Sequence, residues 1–381
     1  MVLTHPFHCP VACIEGHPFD EALASLIDGR DYVLITSAGW GRRGAVATLA
    51  ERCGAPRALI DDVPENPTIG AVCSGAAHIR DGDLIVALGG GSVLDAAKGM
   101  IAHLALGSSD DAFKDHLKNA TPLPNVGDAA YLAMIAVPTT SGTGSEVTRW
   151  GTIWGEDGTK YSVTGHGLYP THAVLDPSLC LTMPRSVTLA TGLDAMSHAM
   201  EAVWNRRHTV VTDAMAEQAI RMIRNHLPVV LERPDDLLAR EGMQCAAVLA
   251  GQAMGTTQSA VAHSISYPFT ARYGIPHGIA CSFTLPEVIR YNGETDAARL
   301  SPIARGFECG LPELAVRVER FMAELGVADE LKDRVGIDGA DEFGDALITP
   351  ARAANNVRPI DGAAAGRIAG SALRAFLGTG V

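Results

Sequence analysis

The chain has 381 residues, 47% of them apolar and 19% charged, enough to bury more than one core and hence to form two domains. Its 43 acidic against 30 basic residues give a net charge of −13, which repels polyanions and argues against a nucleic-acid partner. No stretch reaches the roughly 18 uninterrupted apolar residues of a membrane span, and the start, MVLTHPFHCPVACIEGHPFDE, has no cationic segment, so no membrane partner and a cytoplasmic location are expected.

In chain order, the first half alternates short β-branched runs with helical patterns. YVLIT (32–36), ALID (58–61), LIVAL (84–88), MIAVPTT (134–140) and AVLD (173–176) read as buried strands. Strands separated by helices imply a parallel sheet whose ligands lie at the carboxyl ends of the strands. After LTMPRS (181–186) the pattern turns to Ala, Leu and Met at helical spacing as far as IAGSALRAFLGTG, with no convincing strand. The expected organisation is an α/β domain over residues 1–183 and an all-α domain over 184–381. The eight cysteines are scattered, and only Cys9 and Cys13 are close, so reduced, mostly buried thiols are expected.

Two loops in the first half suit an anionic cofactor. In DLIVALGGGSVLDAAKGMIAHLAL (83–106) a strand runs into three glycines, and Ser92 with Asp95 reads as a capping-box-like helix start. Glycines there let the backbone approach phosphate oxygens at a positive dipole end, although the run is not G-x-G-x-x-G and a plain tight turn is the alternative. VPTTSGTGSEVT (137–148) adds five hydroxyl side chains between Thr139 and Ser145, costly to bury without a polar ligand. Two such loops on neighbouring strands form a dinucleotide cradle.

In the second half, Asp194 and His198 of GLDAMSHAMEA lie four apart, on one face of a helix that is apolar around most of its circumference. A solvated salt bridge is the alternative for such a pair; the apolar surroundings favour an interior cavity. In HSISYPFTARYGIPHG (263–278), a helix ending near Tyr267 and a turn at Pro268 are expected to return His277 towards His263. One carboxylate and three imidazoles would then serve a divalent metal, Fe(II) or Zn(II).

In this order and at these separations, GGGSVLDAAK, PTTSGTGSEVT, GLDAMSHAMEA and HSISYPFTARYGIPHGIA resemble the iron-containing (group III) alcohol dehydrogenase family over essentially the whole chain. The resemblance implies the dehydroquinate synthase-like/iron-containing alcohol dehydrogenase fold, with a dinucleotide-binding α/β domain, an all-α metal-binding domain, and aldehyde reduction or alcohol oxidation at a metal. It implies Asp194, His198, His263 and His277 as metal ligands, Gly90, Gly91, Ser92 and Asp95 at the pyrophosphate, and Thr139, Thr140 and Thr148 on the nicotinamide side. Asn66 and Lys160 match further cofactor contacts, Lys160 also being a catalytic candidate. A homo-oligomer, specifically a dimer, is expected.

The sequence departs from the family pattern twice. Tyr267 stands where many members carry a histidine assigned to proton relay, and a phenol donates hydrogen bonds well but exchanges protons poorly near neutrality. Ser37 stands where NAD-preferring members carry an aspartate, with Arg42 and Arg43 beyond it, which favours NADPH over NADH. HSISYP with TARYGIPHG is similar, more narrowly, to the phosphonoacetaldehyde reductases of phosphonate metabolism, implying a short anionic aldehyde with Arg149, Arg272 and Lys160 as candidate anchors. A neutral short-chain alcohol, a dehydroquinate synthase-like lyase and a non-catalytic metal- and nucleotide-binding module are the alternatives; net oxidation of cofactor with an aldehyde discriminates the last two.

Overall fold

The computed structural model describes residues 6–124 and 131–378; the last residues of the C-terminal helical pattern, 379–380, lie outside them. The chain divides into two compact units. Among the described residues, one comprises those of Cys9–Thr140 with Gly144–Cys180, and the other those from Leu181 onward with Ser141–Thr143 and residues 6–8.

The first unit is built on strands β1 (Ala12–Glu15), β2 (Tyr32–Thr36), β3 (Ala58–Ile60), β4 (Leu84–Gly89), β5 (Met134–Pro138) and β8 (His172–Leu175). They form one sheet in the order β1-β8-β5-β4-β2-β3, every neighbouring pair parallel. Side chains alternate between its faces, as the pleat requires. Val33, Ile35, Ile85, Ala87 and Ala136 pack with Leu94, Ala97 and Ile101 of the helix Gly91–Ala105. Leu34, Val86, Leu88, Ile135 and Val137 pack with Leu23, Ile27 and Leu49 on the other side. Both faces are covered, which is why these strands are continuous apolar runs.

Three strands differ from the sequence expectation. β1 is only four residues and sits at the sheet edge. β6 (Trp150–Trp154) and β7 (Lys160–Thr164) make a separate antiparallel hairpin, whose half-polar strands, with Gly151 in the first, lack the apolar run of the main sheet. The capping box is also absent. β4 runs on to Gly89 and the helix starts at Gly91, so the N-cap is Gly90, without a side-chain cap, and Ser92 falls inside the first turn, donating to Glu65 O.

The second unit contains helices and no strand among the described residues, around a core formed chiefly by the helices Arg185–Val203, Val210–Glu232, Leu237–Thr257 and Val261–Tyr273. The helix carrying His263 does not stop near Tyr267. It passes through Pro268 to Tyr273 and ends at Gly274 in the left-handed conformation, φ 62°. Proline removes one backbone hydrogen bond, but Ile265 and Phe269 are fully buried on either side, and Phe269 packs edge-on against Phe283 and Phe343. That burial outweighs the missing bond. Of the eight cysteines only Cys180 and Cys281 are buried; the other six are half-buried, against the expectation from composition. Among the described residues no helix is long and apolar enough to cross a membrane.

Candidate functional site

The α/β unit brings Ser37, Gly90, Gly91, Ser92, Thr139 and Thr140 to one edge of its sheet. These residues follow β2, β4 and β5, adjacent strands whose last residues are in register, Thr36 beside Leu88 and Gly89 beside Pro138. Two bonds hold the edge together: Thr36 Oγ1 donates to Leu88 O at 2.7 Å and Thr139 N to Gly89 O at 3.1 Å. A Cβ on Gly90 would lie 3.2 Å from Thr140 Cγ2, and one on Gly89 would lie 2.5 Å from Val93 Cγ2, so glycine keeps this backbone open. The first-turn N-H groups of Gly91 and Ser92 have no acceptor within the helix. Such an edge can receive a pyrophosphate. Ser37 is half-buried at the head of Ala38–Arg42, and Arg43 stacks over Trp40 at 4.9 Å.

Asp95 and Thr148 lie in a buried network that the sequence reading missed. Lys98 Nζ donates to Ser145 O (2.5 Å), Ser145 Oγ (2.8 Å) and Trp150 O (2.8 Å), with Thr148 Oγ1 at 3.5 Å. Ser145 Oγ donates to Asp95 Oδ1 at 2.7 Å, and Asp95 Oδ2 accepts from Thr152 N at 2.8 Å. The helix is thereby tied to the loop after β5 and to β6. Burial pushes Lys98 down to about 8, against the pull of Asp95 and Glu146, and pushes Glu146 up to about 7. A lysine in a helix face that should be apolar was the available signal.

This arrangement has a pH signature. The unfolded chain loses the Glu146 proton near the ordinary glutamate value of 4.5, whereas the folded chain keeps it to about 7, so the protonated carboxyl stabilises the fold at low pH and that contribution is lost as pH rises through 7. Glu146→Gln should therefore remove a component of order 1–3 kcal/mol from the pH dependence of stability between pH 5 and 7. Denaturant titrations at both pH values measure it, and parallel curves for the two proteins would refute it.

The helical unit brings the four other predicted residues together. Asp194 and His198 lie on Arg185–Val203, His263 on Val261–Tyr273, and His277 opens the short helix His277–Ser282. His198 Nε2 and His263 Nε2 are 3.1 Å apart, and Asp194 Oδ1 lies 3.8 and 3.7 Å from them. The His263 and His277 ring centroids are 5.5 Å apart. Gly278 makes this convergence possible: a Cβ there would sit 1.8 Å from Ala190 O and 3.0 Å from Asp194 Cβ, so the short helix docks backbone to backbone on the longer one.

Glu201, also missed, orients the cluster. Its Oε2 accepts from His263 Nδ1 and from Ala260 N, both at 2.7 Å, and its Oε1 accepts from Ala262 N (2.6 Å) and His263 N (3.1 Å). One carboxylate thus caps the helix Val261–Tyr273, whose own N-cap, Ala260, offers no side chain, and turns His263 Nε2 towards Asp194. The signal was a carboxylate three residues after His198 on an apolar helix.

The charges of the cluster act on one another. Burial opposes ionisation of Asp194, but His198, His263 and His277 together hold its carboxyl well below the usual carboxylate range. Burial also opposes a charge on His263, yet Cys281, Glu201 and Asp194 outweigh it and push the imidazole well up. Burial pushes His198 down, against the pull of Asp194. Asp194 Oδ1 is buried without a hydrogen bond, 3.8 and 3.7 Å from the Nε2 atoms of His198 and His263. These residues fit a divalent metal of the Zn(II) or Fe(II) kind.

Other predicted residues lie apart from these groups or at their margins. Tyr267, one turn after His263, is half-buried and parallel to the His277 ring, centroids 6.3 Å apart. Lys160 is exposed at the start of β7, its charge acting on Asp95, and Asn66 is exposed ahead of the helix Ile69–Ala76. Arg149 contacts His166 Nε2 at 2.8 Å and stacks over Trp150. Arg272, nine residues after His263, points away by roughly half a turn and meets Glu342 at 3.5 Å on the surface.

Comparison with known proteins agrees with both units. Residues 18–177 match the family model described as iron-containing alcohol dehydrogenase, and residues 188–362 match that of the Fe-containing alcohol dehydrogenase family, C-terminal. A phosphonoacetaldehyde reductase of Streptomyces viridochromogenes is 34% identical over 332 residues, 83% of this chain and 82% of its own. The 1-propanol dehydrogenase PduQ of Citrobacter freundii is 33% identical over 63% of this chain, and the match spans 60% of its length. Among solved structures, sulfoacetaldehyde reductase from Bifidobacterium kashiwanohense, in complex with NAD+, superposes with a TM-score of 0.85 at 26% identity, covering 96% of this chain and 97% of that one. The chain belongs to the iron-containing alcohol dehydrogenase family, and its parallel sheet and helical region have that family's fold.

Proposed function

We propose that the protein is a metal-dependent alcohol dehydrogenase acting as a reductase of short aldehydes that carry an anion, phosphonoacetaldehyde being the leading candidate, with NADPH preferred over NADH. The reading rests on the buried Asp194, His198, His263 and His277 cluster, in which a carboxylate oxygen without a hydrogen bond faces the Nε2 atoms of two imidazoles at 3.8 and 3.7 Å. The domain division near residue 183 assigns the dinucleotide to the α/β part and the metal to the helical part. Bound there, a divalent metal supplies Lewis acidity and a nicotinamide supplies hydride.

The chain's own residues do the rest. Glu201 holds His263 in one tautomer, and the Gly90–Ser92 turn, Thr139 and Thr140 orient the cofactor. Ser37 leaves room for a 2′-phosphate that an aspartate would repel, and Tyr267 offers a hydroxyl to the substrate's anion. The anionic substrate class is supported by two relatives named for phosphonoacetaldehyde and sulfoacetaldehyde. PduQ, named for 1-propanol, favours a neutral substrate as the second reading.

Protein stripped of metal and reloaded with Fe(II) or Zn(II) should oxidise NADPH with phosphonoacetaldehyde at a higher kcat/KM than with propanal. Equal or reversed preference supports the neutral substrate, and no oxidation with any aldehyde sinks the dehydrogenase reading. Tyr267→Phe should raise KM for the anionic aldehyde and leave the neutral one unchanged. A fall in kcat of roughly 10- to 1000-fold for both would instead assign the hydroxyl to proton delivery.

A further inference from the structure

We propose that Cys281 is a thiolate ligand of the metal, giving the centre a soft donor and a preference for Zn(II) over Fe(II). The inference rests on the metal reading above but concerns a residue outside the predicted ligand set. Cys281 lies one turn after His277 on the short helix that Gly278 docks against Ala190 and Asp194. Its Sγ is 3.7 Å from His277 Nδ1 and 3.6 Å from Nε2. One donor atom each from Asp194, His263, His277 and Cys281 lie within 4.8 Å of one another, a grouping that His198 does not share.

Separations of this size suit ligands arranged about a common ion, since two donors 2.0 to 2.3 Å from a tetrahedral zinc stand roughly 3.3 to 3.8 Å apart. Asp194, whose Oδ1 is buried without a hydrogen bond, belongs to the same group. Cys281 is also one of only two buried cysteines. On coordination the S-H bond breaks, the sulfur-metal bond forms and the proton leaves to solvent. Thiolate and carboxylate together balance the dication's charge, and the soft sulfur shifts selection towards zinc.

The test uses whole protein stripped of metal and reloaded with Co(II), in a Cys73→Ser background because Cys73, His103 and Asp110 form a second group of potential donors. The expected result is visible ligand-field bands with a near-ultraviolet sulfur-to-cobalt charge-transfer band, the latter lost in Cys281→Ser while the former remain. Ligand-field bands without charge transfer, or a charge-transfer band that survives Cys281→Ser, overturn the thiolate and leave the metal reading standing. No Co(II) uptake overturns the metal reading itself. X-ray absorption of the Zn(II)-loaded protein with Cys281 intact needs no variant at that position: a zinc-sulfur path near about 2.3 Å is expected, and a shell of nitrogen and oxygen alone rejects the proposal.

Discussion

Gly278→Ala should empty the proposed metal centre while leaving most of the helical unit folded. The added methyl would meet Ala190 O at 1.8 Å and Asp194 Cβ at 3.0 Å, and the first of these is backbone that no rotamer change can move. The short helix must back away, taking His277 with it. Overpacking of this kind costs about 1–3 kcal/mol, small beside the core of Leu189, Leu193, Met196, Phe269 and Phe283 that holds the unit together. The site is less tolerant, since a displacement of about 1 Å is enough to lower turnover by roughly 100-fold. Metal content by mass spectrometry, circular dichroism and aldehyde-dependent cofactor oxidation measure the three quantities. Full metal occupancy at unchanged thermal stability would refute the docking argument.

Glu201→Gln should weaken both metal binding and the fold. The carboxylate accepts four hydrogen bonds, two at each oxygen, from His263 Nδ1 and the N-H groups of Ala260, Ala262 and His263. Whichever way a glutamine amide is turned, its NH2 faces two of those donors. Leaving buried donors unsatisfied costs about 1–3 kcal/mol each, so the loss of stability should reach roughly 2–6 kcal/mol. His263 also loses the acceptor that fixes its tautomer, and loss of such an outer partner lowers metal affinity by about 10- to 100-fold. Denaturant titration and competition with a chelator read the two effects. A Gln variant equal to the parent in both would show that the charge on Glu201 is irrelevant.

The main sheet was legible because its strands are buried on both faces and read as short apolar runs: YVLIT coincides with β2, and LIVAL falls one residue short of β4. The hairpin was not, since Trp150–Trp154 and Lys160–Thr164 bury one face only and mix polar residues, and in the first strand a glycine, with apolar ones. Pro268 misled because local backbone chemistry is visible in a sequence, whereas the packing of Phe269 that overrides it is not. Residue spacing suggested that Asp194, His198, His263 and His277 converge; Asp194 lies 3.8 and 3.7 Å from His198 and His263, whereas His277 groups with Asp194 and His263 but not with His198. Glu201 and Cys281 escaped notice because their partners lie far along the chain or on a helix whose docking depends on one glycine.

The role of Glu201 at the start of the helix Val261–Tyr273 bears on how the proposed metal would be acquired. A carboxylate of the chain itself caps the helix start and sets the direction of His263, so this end of the helix is held without an ion. The polypeptide can mature first and load afterwards, taking its ion from whatever pool the cell offers at that moment. Which element is found in it after purification then records the growth medium and the host's supply of iron and zinc as much as the intrinsic preference of the ligands.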